Sequence, residues 1–281
     1  QSCSSRPTGY GPGAMVRLAA NLSLLFGDLP FLRRFRAAAG CGFRAVEFMF
    51  PGDGGYRHSA AEVAAELRAC ELEQVLFNAP AGDWEAGERG VGGLPGRDAD
   101  WQASIDTALG YADELGCRRV HVMAGLARHG ACEETFVQRL RWASGLAAGA
   151  GVRLCVEPLN ARDFPGYLVP NTSTALRILE KVARPETCRL QLDLYHLQVA
   201  EGDLSENIRR LLPHAEHVQL ANPPGRNEPG VGEVHFPPLL DLLDSLGYAG
   251  HVGCEYRPSA DTGQSLAWAA PYGISPGGGV E

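Results

Sequence analysis

Four polar residues interrupt short apolar runs and carry the chemistry that this chain offers. They are Glu157 in "RLCVEPLN", Asp193 in "CRLQLDLYH", Gln219 in "EHVQLAN" and Glu255 in "HVGCEY". They follow one another at intervals of 36, 26 and 36 residues. A strand–helix unit of an eight-fold barrel takes roughly 30 residues, so the same kind of position recurs over four consecutive units. Three carboxylates and an amide oxygen form a hard-ligand set. Such a set suits Mg²⁺ or Mn²⁺ better than a structural zinc, which prefers Cys and His. Crowded together without a cation, the carboxylates would repel one another and take up protons. A divalent ion removes that conflict and polarises a substrate carbonyl and hydroxyl, stabilising an enediolate. Glutamates on either side could then carry a proton from one carbon to the next.

The elements that must position these residues alternate between two periods. Apolar runs predict strands near 16–21, 44–50, 73–78, 118–123, 152–157, 188–194, 215–220 and 250–256. Helical spacing lies between them. Trp101, Ile105, Ala108, Ala112 and Leu115 recur every three or four residues, with Asp98 as the cap and Gly116 as the stop. Ser59 and Glu62 have the form of a capping box, and Phe236, Leu239, Leu243 and Leu246 end at Gly247. Eight such units predict an α/β fold, a single (β/α)8 TIM barrel over residues 15–270. Residues 1–14 are expected to be a flexible leader and 271–281 a flexible tail. No Gly-x-Gly-x-x-Gly turn follows the first strand, which weighs against a dinucleotide fold.

Alternation along each strand sets the facing. Leu154 and Val156 oppose Cys155 and Glu157; Leu190, Leu192 and Leu194 oppose Gln191 and Asp193; Val218 and Leu220 oppose His217 and Gln219; Val252 and Cys254 oppose Gly253 and Glu255. The apolar face must meet the helices, so all four polar residues point into the barrel near its catalytic, C-terminal end. Any one of them alone is readily explained as an inward group bonded to backbone. Four in succession are not.

His196, three residues after Asp193, is expected to turn into the same mouth and hydrogen-bond a substrate oxygen, with a core or capping role as the alternative. Asn78 and His121 end the third and fourth strands and are further substrate-site candidates, strand-end hydrogen bonding being the competing account. Glu47 is inward too and is read as part of a barrel-floor ion pair, not as a ligand. Two Gly-rich loops bring arginines: 79–97, of a length often found in lids and binding loops, holds Arg89, and "NPPGRNEPGVGE" holds Arg226. Both are candidates for holding an anionic substrate, since Arg binds carboxylates bidentately.

Bulk composition narrows the classes. The chain has 281 residues, 45% hydrophobic, and a net charge of −8. Its length can bury about 75% of the unfolded surface in one core. The acidic balance argues against nucleic-acid and anionic-membrane partners, and no apolar run is long enough to span a bilayer. Eight cysteines without a C-x-x-C, several inside predicted strands, read as core residues of a reduced, cytoplasmic protein. A homo-oligomer remains open.

The strings "GDWEAGERG…LPGR", "VEPLN", "QLDLYHLQVAEGDL", "HVQLANPPGRNEPGVGE" and "GYAGHVGCEYRP" resemble hydroxypyruvate isomerase and its relative 2-oxo-tetronate isomerase, of the xylose-isomerase-like barrel superfamily. The resemblance runs from about Val16 to Trp268. It is looser in the first helix and in "FPGDGGYRHSA". It implies a TIM barrel acting on a small hydroxy-oxo acid, with Glu157 and Glu255 as the catalytic pair. It also implies a divalent metal held by Glu157, Asp193, Gln219 and Glu255. Many superfamily epimerases carry histidine where this chain has Gln219. The implied reaction interconverts hydroxypyruvate and 2-hydroxy-3-oxopropanoate. The four-carbon 2-oxo-tetronate reaction is the nearest alternative, and ketose 3-epimerisation a more distant one.

Overall fold

The computed structural model describes residues 16–276; the expected leader and residues 277–281 lie outside these. Eight strands form one closed parallel barrel in sequence order. They are β1 (Arg17–Asn21), β2 (Ala45–Phe48), β3 (Glu73–Asn78), β4 (Arg119–His121), β5 (Arg153–Val156), β6 (Cys188–Asp193), β7 (Ala215–Leu220) and β8 (His251–Cys254). β8 closes on β1 through the register Leu18↔Val252 and Ala20↔Cys254. The expected single (β/α)8 barrel is the observed fold.

Six of the helices on the outside are α1 (Phe31–Gly40), α2 (Ala60–Ala69), α3 (Asp98–Leu115), α4 (Glu133–Ala150), α5 (Thr172–Val182) and α6 (Leu194–Ala200). After them come α7 (Leu204–Leu211), α8 (Pro237–Ser245) and the short α9 (Thr262–Ser265). The Ser59–Glu62 capping box is present at α2, and Gly116 ends α3 in the left-handed conformation. Asp98 is the first residue of α3 rather than its cap; Arg97 holds that position without a side-chain cap bond. The outward strand residues Leu154, Val156, Leu190, Leu192, Val218, Leu220 and Val252 are at most 1% exposed and form one core with the helices. Burying a side chain of that size contributes about 1.5–3 kcal/mol, and this layer fixes which face each strand turns inward.

Residues 271–276 of the expected tail are described. A 3₁₀ turn runs over Ala267–Tyr272, Ile274 is buried, and the Ser275 amide donates to the Cys41 carbonyl at 2.9 Å. A Cβ on Gly42, whose φ is +98°, would lie 2.6 Å from the Gly273 carbonyl oxygen. An apolar anchor and a glycine-enabled approach therefore hold a segment whose composition reads as loose. Among the described residues no helix is long and apolar enough to cross a membrane.

Candidate active site

Two layers of polar side chains occupy the barrel interior. On the floor, the fully buried Glu47 carboxylate meets His217 Nε2 at 2.6 Å and accepts from Asn21 Nδ2 at 2.9 Å and Gln219 Nε2 at 2.7 Å. Register shifts fall beside two residues of this layer, between Val46 and Glu47 and between Leu190 and Gln191. Such irregularities re-aim side chains. A Cβ on Gly253 would lie 2.3 Å from a Glu47 carboxylate oxygen, so β8 needs glycine where that carboxylate rests. The expected floor role of Glu47 is what is found.

Above the floor lies a cavity of about 120 Å³ at the C-terminal ends of the strands. Asn78, His121, Glu157, His196, Gln219, Arg226 and Glu255 all line it. Asp193 sits directly behind: it caps α6 by accepting from the Tyr195 amide at 2.8 Å, and its Oδ2 is 3.7 Å from His196 Nε2. Helix α6 thus starts immediately after β6, and this abrupt start swings His196 into the mouth.

Among the described residues, nine buried side-chain polar atoms have no hydrogen-bond partner, and four belong to this wall: Glu157 Oε1, His121 Nε2, His196 Nε2 and Gln191 Oε1. Native interiors rarely tolerate such groups without a ligand, ion or water. Burial, reinforced by the charges of Glu255 and Asp193, pushes the Glu157 carboxyl well above its ordinary range. Burial raises Glu255 to about 8 and Asp193 to about 6, in each case against the pull of Arg226. His121 is lowered to about 3 by burial, and His196 is lowered well below the usual imidazole value by burial and then by Arg226.

The tautomer of His196 follows from its neighbours. The Asn160 backbone amide donates to Nδ1 at 3.1 Å, and the Asn160 side-chain amide lies 2.7 Å from the same atom. A backbone N–H can only donate, so Nδ1 is an acceptor and the ring proton sits on Nε2, the unpartnered atom facing the cavity. His196 is therefore a neutral hydrogen-bond donor.

Ligand-type atoms of Glu157, Asp193 and His196 lie within 4.8 Å of one another, a buried group with the spacing of a metal site. Glu157 and Asp193 have the chemistry to hold a hard cation, and Glu157 Oε1 has no hydrogen-bond partner; the Nε2–H of His196, a donor, does not suit a cation. Glu255 turns to Arg226, its Oε1 accepting from Nη2 at 2.7 Å. Gln219 is held at both ends, its Nε2 by Glu47 and its Oε1 by Gln191 Nε2 at 2.6 Å, which leaves the oxygen one further lone pair.

The two expected substrate arginines are not free. Arg226 also reaches Asp193 Oδ2 at 3.4 Å and lies over the Tyr195 ring, 4.9 Å from its centroid. Burial opposes its charge, but Glu255, Asp193 and Glu157 together raise its pKa. Its backbone is left-handed, φ 57°, inside a loop closed by reciprocal amide bonds between Asn222 and Asn227. Arg89 is outside the cavity wall: it stacks on Trp84 at 3.9 Å and donates to the Trp84 and Glu88 carbonyls. Trp84, from the same loop, lines the cavity instead.

Sequence reasoning missed Asn160, Gln191, Trp84 and Arg257. Asn160 and Arg257 lie inside quoted motifs, and Gln191 shares the inward face with Asp193, so a signal existed for those three. Trp84 likewise lies inside the quoted string "GDWEAGERG".

The chain matches the family described as xylose isomerase-like TIM barrel over residues 35–272. It is 46% identical to 2-oxo-tetronate isomerase of Cupriavidus necator, over 92% of this chain and 99% of the relative. It is 39% identical to hydroxypyruvate isomerase of Escherichia coli, over 92% and 100%. A solved structure described as an AP endonuclease, family 2, from Brucella melitensis is 46% identical, with a TM-score of 0.88 over 92% of this chain and 99% of that one. With its fold and these relatives in agreement, the chain belongs to the xylose isomerase-like TIM-barrel family.

Proposed function

We propose that the protein isomerises a small hydroxy-oxo acid, moving a proton between adjacent carbons through an enediolate. In the three-carbon reading, hydroxypyruvate and 2-hydroxy-3-oxopropanoate interconvert. One glutamate takes a proton from C3 and the other delivers one to C2, while the hydroxyl proton passes from O3 to O2. The observation that carries this reading is the set of buried, unpartnered polar atoms around one cavity, with Glu157 and Glu255 on its wall. A base poised well above the ordinary carboxylate range suits carbon acids. The His196 Nε2–H would donate to the carbonyl oxygen on which charge develops.

Glu157 and Asp193 would hold a divalent ion, with Gln219 and Glu255 completing the set in the reading from family resemblance. When bound, that ion supplies Lewis-acid polarisation of the substrate oxygens. Arg226 keeps Glu255 and Asp193 oriented and partly neutralised. A cavity of about 120 Å³ is well below the roughly 300–1,000 Å³ of sites for drug-sized ligands. That supports a substrate of a few carbons.

The 46% identical relative favours 2-oxo-tetronate as the second reading. A phosphodiester substrate, raised by the name of the Brucella structure, is disfavoured by the net charge of −8 and the carboxylate-rich wall. The test is exchange of the substrate C3 proton with deuterated water, by protein stripped of metal and then given Mn²⁺ or Mg²⁺. Exchange with hydroxypyruvate supports the first reading. Exchange with 2-oxo-tetronate alone replaces it by the second, and exchange with neither removes both.

A further inference from the structure

An acid substrate requires a cation that is not already committed, and neither arginine expected for that role qualifies. Arg226 Nη2 is 2.7 Å from Glu255 and 3.4 Å from Asp193. Arg89 is bonded to its own loop and lies off the wall. Arg257 differs from both. It lines the same cavity, is exposed, and its guanidinium has no acceptor among the described residues.

The chain nevertheless holds Arg257 in place. Its amide donates to the Arg226 carbonyl at 2.7 Å, and its carbonyl accepts from Asn227 Nδ2 at 2.8 Å. Two residues on, Glu228 accepts from the Ser259 amide at 3.0 Å and from its hydroxyl at 2.5 Å. Three consecutive residues of the β7–α8 loop, Arg226, Asn227 and Glu228, thus clamp the backbone after β8 while leaving the guanidinium itself unbound. An arginine fixed at its root and free at its tip, beside a small cavity, is arranged as a receptor for a small anion.

Resting on the acid-isomerase reading, we propose that Arg257 receives the substrate carboxylate at the cavity mouth. Charge balance points the same way. In the mouth layer, with the Glu47 carboxyl left to its own partners below, Glu157, Asp193 and Glu255 carry three negative charges when ionised; Arg226 and one divalent cation offset them. Arg257 then leaves a single positive charge over, which matches a monocarboxylate and not a neutral sugar. Its planar fork can take both oxygens of that carboxylate.

The experiment uses the full chain loaded with Mn²⁺. D-Glycerate, an unreactive hydroxy acid, is titrated by calorimetry into the wild type, Arg257→Ala and Arg257→Lys. The glycerate Kd is expected to rise about 10–100-fold in the alanine variant, the scale of a hydrogen-bonded charge contact, and less in the lysine variant. The KM for the reacting acid should rise in parallel while kcat stays within about three-fold. Mn²⁺ affinity, measured on the same variants, should stay within about two-fold, since Arg257 contacts no carboxylate of the site. Glycerate binding that survives Arg257→Ala within two-fold, or that fails in the wild type, overturns the assignment. So does a loss of glycerate binding that coincides with loss of Mn²⁺ binding. Failure of the isomerase reading is separable: the wild type would then bind glycerate through Arg257 yet exchange no proton on either acid.

Discussion

Glu47 and Glu157 are both buried glutamates on the inward face of the barrel, yet their surroundings are opposite. Glu47 is met by His217, Asn21 and Gln219, so both carboxylate oxygens are paired. Glu157 has one oxygen without a partner and the other 3.4 Å from His121 Nδ1. The floor is a finished structure; the mouth is unfinished without something bound. Buried polarity by itself therefore does not mark a site. Incomplete pairing beside a cavity does.

The largest expected effect separates the two glutamates by activity. Glu157→Gln should lower kcat by about 10³-fold, within the range of an acid–base group, with a melting temperature equal to or above wild type. Steady-state rates and thermal melts on one preparation check it; a large fall in melting temperature would make Glu157 a structural group like Glu47. The converse substitution, Glu47→Ala, should cost about 3–5 kcal/mol of stability, because the buried His217, Asn21 and Gln219 lose their common partner. Urea unfolding measures it, and a cost below about 1 kcal/mol would contradict the account of the floor.

Next in size is a pH effect confined to the mouth. Asp193, about 6, and Glu255, about 8, bind protons more tightly in the folded chain than the ordinary carboxylate value of about 4. Between those limits the folded state holds more protons than the unfolded one. Stability of metal-free protein should therefore fall as pH rises from about 4 towards 8. Saturating Mn²⁺ should oppose the fall. Urea titrations across that range, with and without Mn²⁺, would expose a flat profile if the carboxylates were already satisfied. The smallest expected effect is Gly253→Ala, which crowds the Glu47 carboxylate without removing any charge. It should cost about 1–3 kcal/mol, and crystallography of the variant should find Glu47 displaced.

The floor and mouth were unequally legible in the sequence. Alternation is a local property of the strand, so the inward facing of Glu47, Glu157, Asp193, Gln219 and Glu255 could be read from neighbours two residues away. The barrel itself followed from eight repeats of that pattern. What could not be read depends on contacts distant in the chain. The two donor groups of Asn160 fix a histidine 36 residues later. Arg226 is drawn to Glu255 across 29 residues, so its charge looks available in sequence and is not. Arg89 is retained by its own loop, and the Ser275 amide reaches back to the Cys41 carbonyl. Spacing names the strand ends that meet, but not which partner each long side chain prefers.

The Gln219 amide has a further consequence. An amide has a donor end and an acceptor end, and Glu47 accepts from the donor end. The acceptor end must then face a donor, which Gln191 supplies through Nε2. Gln191 is thereby oriented in turn, and its own oxygen is left bare on the cavity wall. The chain of amides works as a one-way polarity relay: the Glu47 side chain dictates that a carbonyl oxygen of Gln191, and not its NH₂, is left over on the cavity wall. A hydrogen-bond donor arriving there would meet an acceptor whose direction was decided at Glu47.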